Sequence, residues 1–392
     1  MAVIGNIITA AEINGKASGG ANSDITSLSG LVSTFGFKNR IIGGDFTTNP
    51  WQRGTSFAGV SNILVYAADR WACAIVTAAT SAVVTITKGV DSPTASQAGS
   101  FSQHCLAQAV TTAKASLVAG DYSILLQIIE GLNAASFGFG QAGTRNVTLS
   151  FWVKGAKTGI HCVSLRTGAS SRSYVAEYTI NAINTWEYKV ITVPVDTAGT
   201  WAYDTGAGLI VSFCLASGTT FQSTAGSWQT GNFLATANQV NELDTIGNNF
   251  KIALVQLEAG SVATSFDVRS VGTEVSLCYR YYYQILGQSL PAIVTTSGLT
   301  VLIKYPVTMR VIPTLNSNII DANFTASGGA TGVQWGVQIA GIAAASKTGT
   351  ASTSLGSYLD YGLLIIYGCT FSIACNYLIL GPSILLTFSG EL

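Results

Sequence analysis

The chain has 392 residues, of which 48% are hydrophobic and only 10% charged, against about 25% charged in an ordinary soluble domain. Its 19 basic and 19 acidic side chains cancel, and no basic run or stripe appears, which excludes a phosphate- or nucleic-acid-binding surface of clustered Lys and Arg. Two histidines, and seven scattered cysteines without C-x-x-C spacing, exclude zinc sites and redox motifs.

The cysteines are Cys73, Cys105, Cys162, Cys214, Cys278, Cys369 and Cys375. Their odd number argues against a full disulfide framework, and buried free thiols are expected. What remains for the surface is Ser, Thr, Asn, Gln and Gly. Such a neutral coat suits a hydroxyl-rich partner or broad contacts with sister subunits.

Residues 1–38 are set apart by a Gly/Ser-rich stretch, "GKASGGANSDITSLSGLVSTFG". Its apolar stripe, Ile25, Leu28, Leu31 and Val32, is too small to build a core alone, so it orders against a partner or sister copies. The start lacks a basic n-region, and Glu12 interrupts its short apolar run, so it does not read as a signal peptide.

Strand patterns dominate residues 39–272. "YSILLQIIEG" places Tyr122, Ile124, Leu126 and Ile128 on one face, and "YVAEYTI" does so with Tyr174, Ala176, Tyr178 and Ile180. In "GFGQAGTRNVTLSFWVKG", Gly138, Gly140 and Gly143 match the spacing of a dinucleotide loop. They open a strand rather than a helix, so no helix N-terminus is available for a pyrophosphate, and the motif reads as a turn. The strand that follows puts Val147, Leu149, Phe151 and Val153 on one face. Trp152 falls on the other, among Ser150, Thr148 and Lys154. "LIVSFCLA" likewise aligns Leu209, Val211, Phe213 and Leu215. Many short strands with Gly, Asn and Ser turns predict a sandwich or a barrel.

A helical spacing, Glu274, Leu277, Cys278 and Tyr281, predicts a short helical linker over 273–286. Beyond it, 287–392 reads as a second β-unit in which Val333, Trp335, Val337 and Ile339 share a face. The apolar run "YGLLIIYGCTFSIACNYLIL" is interrupted by Gly, Thr, Ser and Asn, which predicts successive strands rather than a membrane helix.

Five blocks come in a fixed order: "NRIIGGDFTTNPWQRGTSF…YAADRW", "TLSFWVKGAKTG", "NTWEYKVITVP", "FKIALVQLEAGSVATSFDVRS" and "EVSLCYRYY". Together they resemble phage tail-fibre and virion-spike proteins built on a carbohydrate-binding-type jelly roll. The leader "GANSDITSLSGL" is similar to their N-terminal attachment segments, and "KYPVTMRVIPT" to the start of a receptor-binding tip. Gly43-Gly44 stands where the family usually has Asn-Gly. The resemblance implies an all-β chain with an extended or helical N-terminal anchor, a jelly-roll sandwich and a C-terminal β-sandwich or tip unit. It further implies a homotrimer exposed on a virion, joined to other virion proteins through its N-terminus and touching host surface polysaccharide. Ile25, Leu28 and Leu31 are then the attachment and trimerisation residues.

For carbohydrate binding, the loops "WAYDTGAG" and "SGTTFQSTAGSWQTGN" offer Trp201, Tyr203, Asp204, Phe221, Trp228 and Gln229. Aromatics beside amide and carboxylate groups in polar loops suit a sugar-binding rim or, equally, a plug over the core. Trp152 stacks on a sugar or packs against a sister subunit or covering loop. Trp51 and Trp71, beside turns, are expected to plug the sandwich, with Asp69, Arg70 and Arg53 tying loops together. No carboxylate pair stands out with flanking aromatics, and nothing surrounds the histidines, so neither catalytic residues, metal nor cofactor is expected. Insertion into a membrane is not expected either.

Overall fold

The computed structural model describes residues 37–78, 81–286, 289–295, 298–317, 347–348, 352–357, 360–367, 370–371, 377–379 and 385–392. The anchor stripe Ile25, Leu28, Leu31 and Val32, the face carrying Trp335, and Cys369 and Cys375 lie outside the described residues.

The first unit contains β1 (Ser56–Val60), β2 (Ile63–Tyr66), β3 (Trp71–Val76), β4 (Val83–Gly89), β5 (Cys105–Thr112), β6 (Tyr122–Glu130) and β7 (Asn146–Gly155). It continues with β8 (Gly159–Thr167), β9 (Arg172–Ile180), β10 (Glu187–Pro194), β11 (Ala207–Ser217), β12 (Trp228–Thr230) and β13 (Asn249–Ala259). One antiparallel sheet has the order β1-β4-β5-β13-β7-β10, and the other β12-β9-β8-β11-β6-β3-β2. The non-sequential neighbours are crossovers between sheets, and the result is a jelly-roll sandwich.

Strand alternation builds the core. Val147, Leu149, Phe151 and Val153 of β7 are fully buried, as are Leu209, Val211 and Phe213 of β11. Phe151 of one sheet meets Phe213 of the other edge-on, with ring centroids 4.9 Å apart. Trp71 lies 6.3 Å from Phe213 and 5.2 Å from Phe46, so this Trp, like the buried Trp51, is a core plug. The other row of β6 points outward, where Ile124, Leu126 and Ile128 are covered by Phe221, Phe233 and Leu234. Cys73, Cys105, Cys162, Cys214 and Cys278 are free and buried. Burial pushes the Cys73 and Cys105 thiols up to about 12 and raises the other three.

The linker expected to be helical over 273–286 is half helix and half strand. The helix runs Val271–Tyr279 and buries Glu274 and Cys278. The chain then extends into β14 (Tyr282–Leu286), because an aromatic and β-branched run fits a pleated surface better than a helix. Farther on come β15 (Ser289–Thr295), β16 (Gly298–Lys304), β17 (Thr314–Ser317), β18 (Lys347–Thr348) and β19 (Ser352–Ser357). They are followed by β20 (Tyr361–Tyr367), β21 (Thr370–Phe371), β22 (Tyr377–Ile379) and β23 (Leu385–Ser389). Among the described residues these form sheets of order β14-β23-β17, β19-β20-β16-β15-β22 and β18-β21.

Strand β23 brings Glu391 back to the sandwich. Its carboxylate pairs with Arg70 and, at 3.1 Å, with Arg53, which also approaches Asp69 at 3.8 Å. Arg70 therefore ties the sandwich to the end of the second unit rather than to its neighbour Asp69. Tyr281 stacks over Arg70 at 3.6 Å and Tyr282 over Arg53 at 3.4 Å. Glu130, at the end of β6, accepts from Arg280 at 2.6 Å and from the Tyr281 hydroxyl at 2.7 Å.

Removing one partner of a buried ion pair strands the other charge, which costs about 3–5 kcal/mol. Glu391→Gln is therefore expected to lower the unfolding free energy by about 3 kcal/mol, measured as a shifted urea midpoint, because Arg70 is 1% exposed.

Candidate functional site

Among the described residues, two places that bring aromatic rings together with polar groups are candidates for a site. The first holds the loop residues singled out in the sequence. Trp201 is 7% exposed. Its ring stacks on Phe139 at 4.3 Å and 22°, meets Trp228 edge-on at 5.5 Å, and its Nε1–H donates to Ala198 O at 2.9 Å. Trp228 opens the edge strand β12, half-buried among Tyr174, Phe139 and Trp201, and donates to Pro194 O at 2.6 Å.

Of the two readings open for these tryptophans, a sugar-binding rim or a plug over the core, their packing favours the plug, since protein rings lie against both. The turn at Gly138 and Gly140, with φ of 73° and 76°, inserts Phe139 beneath them. A Cβ at Gly140 would lie 2.9 Å from the Trp201 ring, so only glycine lets the two approach.

The remaining loop residues are also engaged locally. Tyr203 is exposed, yet its hydroxyl donates to Phe139 O and accepts from Gln141 at 3.1 Å. Asp204 accepts from the Gly206 N–H at 2.8 Å. Phe221 meets Tyr122 edge-on at 5.0 Å, and Gln229 donates to Thr224 O at 2.8 Å.

The second place surrounds Trp152, on the outer face of the six-stranded sheet. In the ladder Trp152 sits opposite Tyr188 of β10 and Ala253 of β13. Its ring packs with Cys105, Ala107, Trp186 and Ala253 and tilts at 41° against Tyr188, centroids 5.5 Å apart. The register of β13 shifts between Ala253 and Gln256, where Leu254 takes φ of 49°. A groove of about 270 Å³ opens here, lined by Gln97, Ala98, Ser150, Trp152, Tyr188, Leu254, Ala263, Thr264, Ser265 and Phe266.

Both walls are held in place. The Ala95–Ala98 turn is closed by a capping box between Thr94 and Gln97. On the other wall, the Glu258 carboxylate accepts from Thr264 N at 2.8 Å and Thr264 Oγ1 at 2.7 Å, while Lys38 donates to Ser265 O at 2.6 Å. Beside the groove, Asp91 accepts from Trp186 Nε1 at 3.0 Å, Lys251 at 2.8 Å and Lys154 at 2.9 Å. Partial burial pushes the Asp91 carboxyl up, but these donors outweigh it and hold the group at about 2.

Trp152 was visible in the sequence as the odd aromatic on a polar strand face. Tyr188 and the 263–266 wall were missed. Alternation in "NTWEYKVITVP" is the signal that could have put Tyr188 on one face of a strand, but no local signal pairs that strand with β7. Chemically, the groove offers ring faces, hydroxyls, an amide and backbone carbonyls. No cluster of His, Cys, Asp and Glu able to hold a metal occurs among the described residues, and no helix there is long and apolar enough to cross a membrane.

No protein-family model and no curated protein matches the chain. Among solved structures, similarity extends to the enzymatically active domain of tailspike protein 4 of bacteriophage CBA120, at 14% identity and TM-score 0.31. That match covers 56% of this chain and 21% of the tailspike chain, about a fifth of its length. Similarity also extends to TmCBM61 in complex with β-1,4-galactotriose, at 11% identity and TM-score 0.27, covering 56% of this chain and 98% of that one. A family 11 carbohydrate-binding module from Clostridium thermocellum matches at 11% identity and TM-score 0.25, covering 52% and 99%. The site's assignment rests on its own geometry.

Two outcomes follow from that geometry. Trp201→Ala removes a stacked, buried ring and is expected to destabilise the fold by about 3–5 kcal/mol in urea unfolding. Asp91 is held below its ordinary value of about 4, so its contribution to stability is complete above that pH and is lost as pH falls towards about 2. Melting curves across this window should show a steeper acid loss for the parent than for Asp91→Asn, which lacks the titrating group.

Proposed function

We propose that the protein is a homotrimeric surface appendage of a bacteriophage-like particle, a tail fibre or head spike, that binds host surface polysaccharide without cleaving it. The observation that carries this reading is the Trp152–Tyr188 groove. Aromatic faces stack on the C–H face of a pyranose while Ser and Gln side chains meet its hydroxyls, which is how a cleft with few polar groups orients a ligand. The five ordered sequence blocks support the virion assignment, and the Gly/Ser-rich residues 1–38 supply the attachment segment. The groove lining has no carboxylate, so the general acid of a glycoside hydrolase has no place in it.

A trimer is favoured by the mean hydropathy of +0.41 and by exposed Phe101, Val262 and Val268, since closed symmetry is the usual way to cover such surface. A purely structural decoration protein is the second reading, favoured by the engagement of Trp201 and Trp228 in internal packing.

A glycan array on the soluble protein separates the two, with light scattering to test for three chains of 40.7 kDa. Tyr188→Ala and Trp152→Ala should each weaken binding severalfold, since an aromatic contact contributes about 0.5–1.5 kcal/mol beyond area burial. The exposed Tyr188 variant should keep the parent melting temperature. A blank array, or binding indifferent to both substitutions, would remove the groove as the site.

A further inference from the structure

We infer that the groove selects an uncharged glycan and grips a short epitope of one or two sugar units. This inference rests on the polysaccharide-binding reading and narrows it.

Charge comes first. The lining contains no Asp, Glu, Lys, Arg or His. The charged groups nearest to it are turned onto protein. Lys38 donates to Thr264 Oγ1 at 2.5 Å, and Glu258 accepts from the same hydroxyl, so a cation and an anion brace one wall together. Lys154 and Lys251, opposite one another in the ladder, share Asp91. A uronate or sulfate entering the groove would lose hydration without meeting a cation in the lining, a penalty that buried charge does not recover. Neutral hydroxyls meet Ser150 and the Gln97 amide at no such cost.

Size and shape come second. At about 270 Å³ the groove falls just below the roughly 300–1,000 Å³ typical of small-molecule sites. Trp152 and Tyr188 are inclined at 41° to one another, so they make a cradle for one ring rather than a flat platform for a long chain. The walls at 94–98 and 263–266 are pinned by the capping box and by Glu258, which limits adjustment to a larger ligand.

Two lysines on one carboxylate leave a positive charge one row beyond Trp152, and this provides the discriminating test. The full-length protein is titrated calorimetrically with ladders of neutral gluco- and galacto-oligosaccharides and with oligogalacturonates. Each titration is run at about 0.1 M and about 1 M salt, which shortens electrostatic screening from about 10 Å to about 3 Å.

The expected result is binding of a neutral ladder whose affinity levels off at the disaccharide. It should change less than about twofold with salt, since no charged contact is screened, and be unaltered by Lys154→Gln. Preference for oligogalacturonate, weakened by salt and lost in Lys154→Gln or Lys251→Gln, overturns the inference. So does affinity that keeps climbing with chain length. In both cases sensitivity to Trp152→Ala would leave polysaccharide binding at the groove standing. Binding of no probe, or binding indifferent to Trp152→Ala, overturns the groove reading together with the inference.

Discussion

A guanidinium that is 1% exposed has to be met by an anion, and Arg70 finds that anion in Glu391, 321 positions downstream. Burial by itself lowers the Arg70 pKa, and the Glu391 carboxylate, with Tyr281, Tyr66 and Cys278 beside it, more than restores it. The residue also holds φ at 70°, a left-handed backbone that a non-glycine side chain adopts only under constraint. The constraint is visible around it: Tyr281 covers one face, Ile128 O accepts from the head group, and Glu130 fixes Tyr281 in turn. One buried charge thus obliges the last strand to return to the jelly roll.

The same network reaches into the sandwich that carries the groove. It fastens β6, a central strand, at one end, and the Phe151–Phe213 contact locks the two sheets across the middle. Trp152 is the next residue after Phe151, so the groove floor stands directly over the sandwich core. Sites carried on strands of a rigid scaffold hold their geometry better than sites on loops. The loop tryptophans instead close the sandwich edge, with Trp201 stacked on Phe139.

Strand identity was legible in the sequence wherever alternation was strong. Val147 to Val153 and Leu209 to Leu215 face the core as their period requires. The helix register was also legible, through Glu274 and Cys278, but not its end, because Tyr281, Tyr282 and Tyr283 fit a helical face as well as a pleated one. What local pattern could not reveal was pairing. Trp201 could be read as a rim aromatic or as a core plug, because Phe139, which covers it, lies far away in sequence. Trp152 stood out on a polar face, yet its neighbour Tyr188 depends on β10 lying beside β7. Long-range register decides which aromatics are free to meet a ligand, and residue spacing does not encode it.

The five described cysteines share one chemical consequence. Each thiol is buried and has its pKa raised, so at neutral pH almost none is thiolate, the form that reacts with oxidants and electrophiles. Sulfurs hidden this way are spared adventitious crosslinking and sulfenylation. Burial likewise shields these five from maleimides, which makes the sandwich a host for an engineered surface cysteine carrying a fluorophore beside the groove.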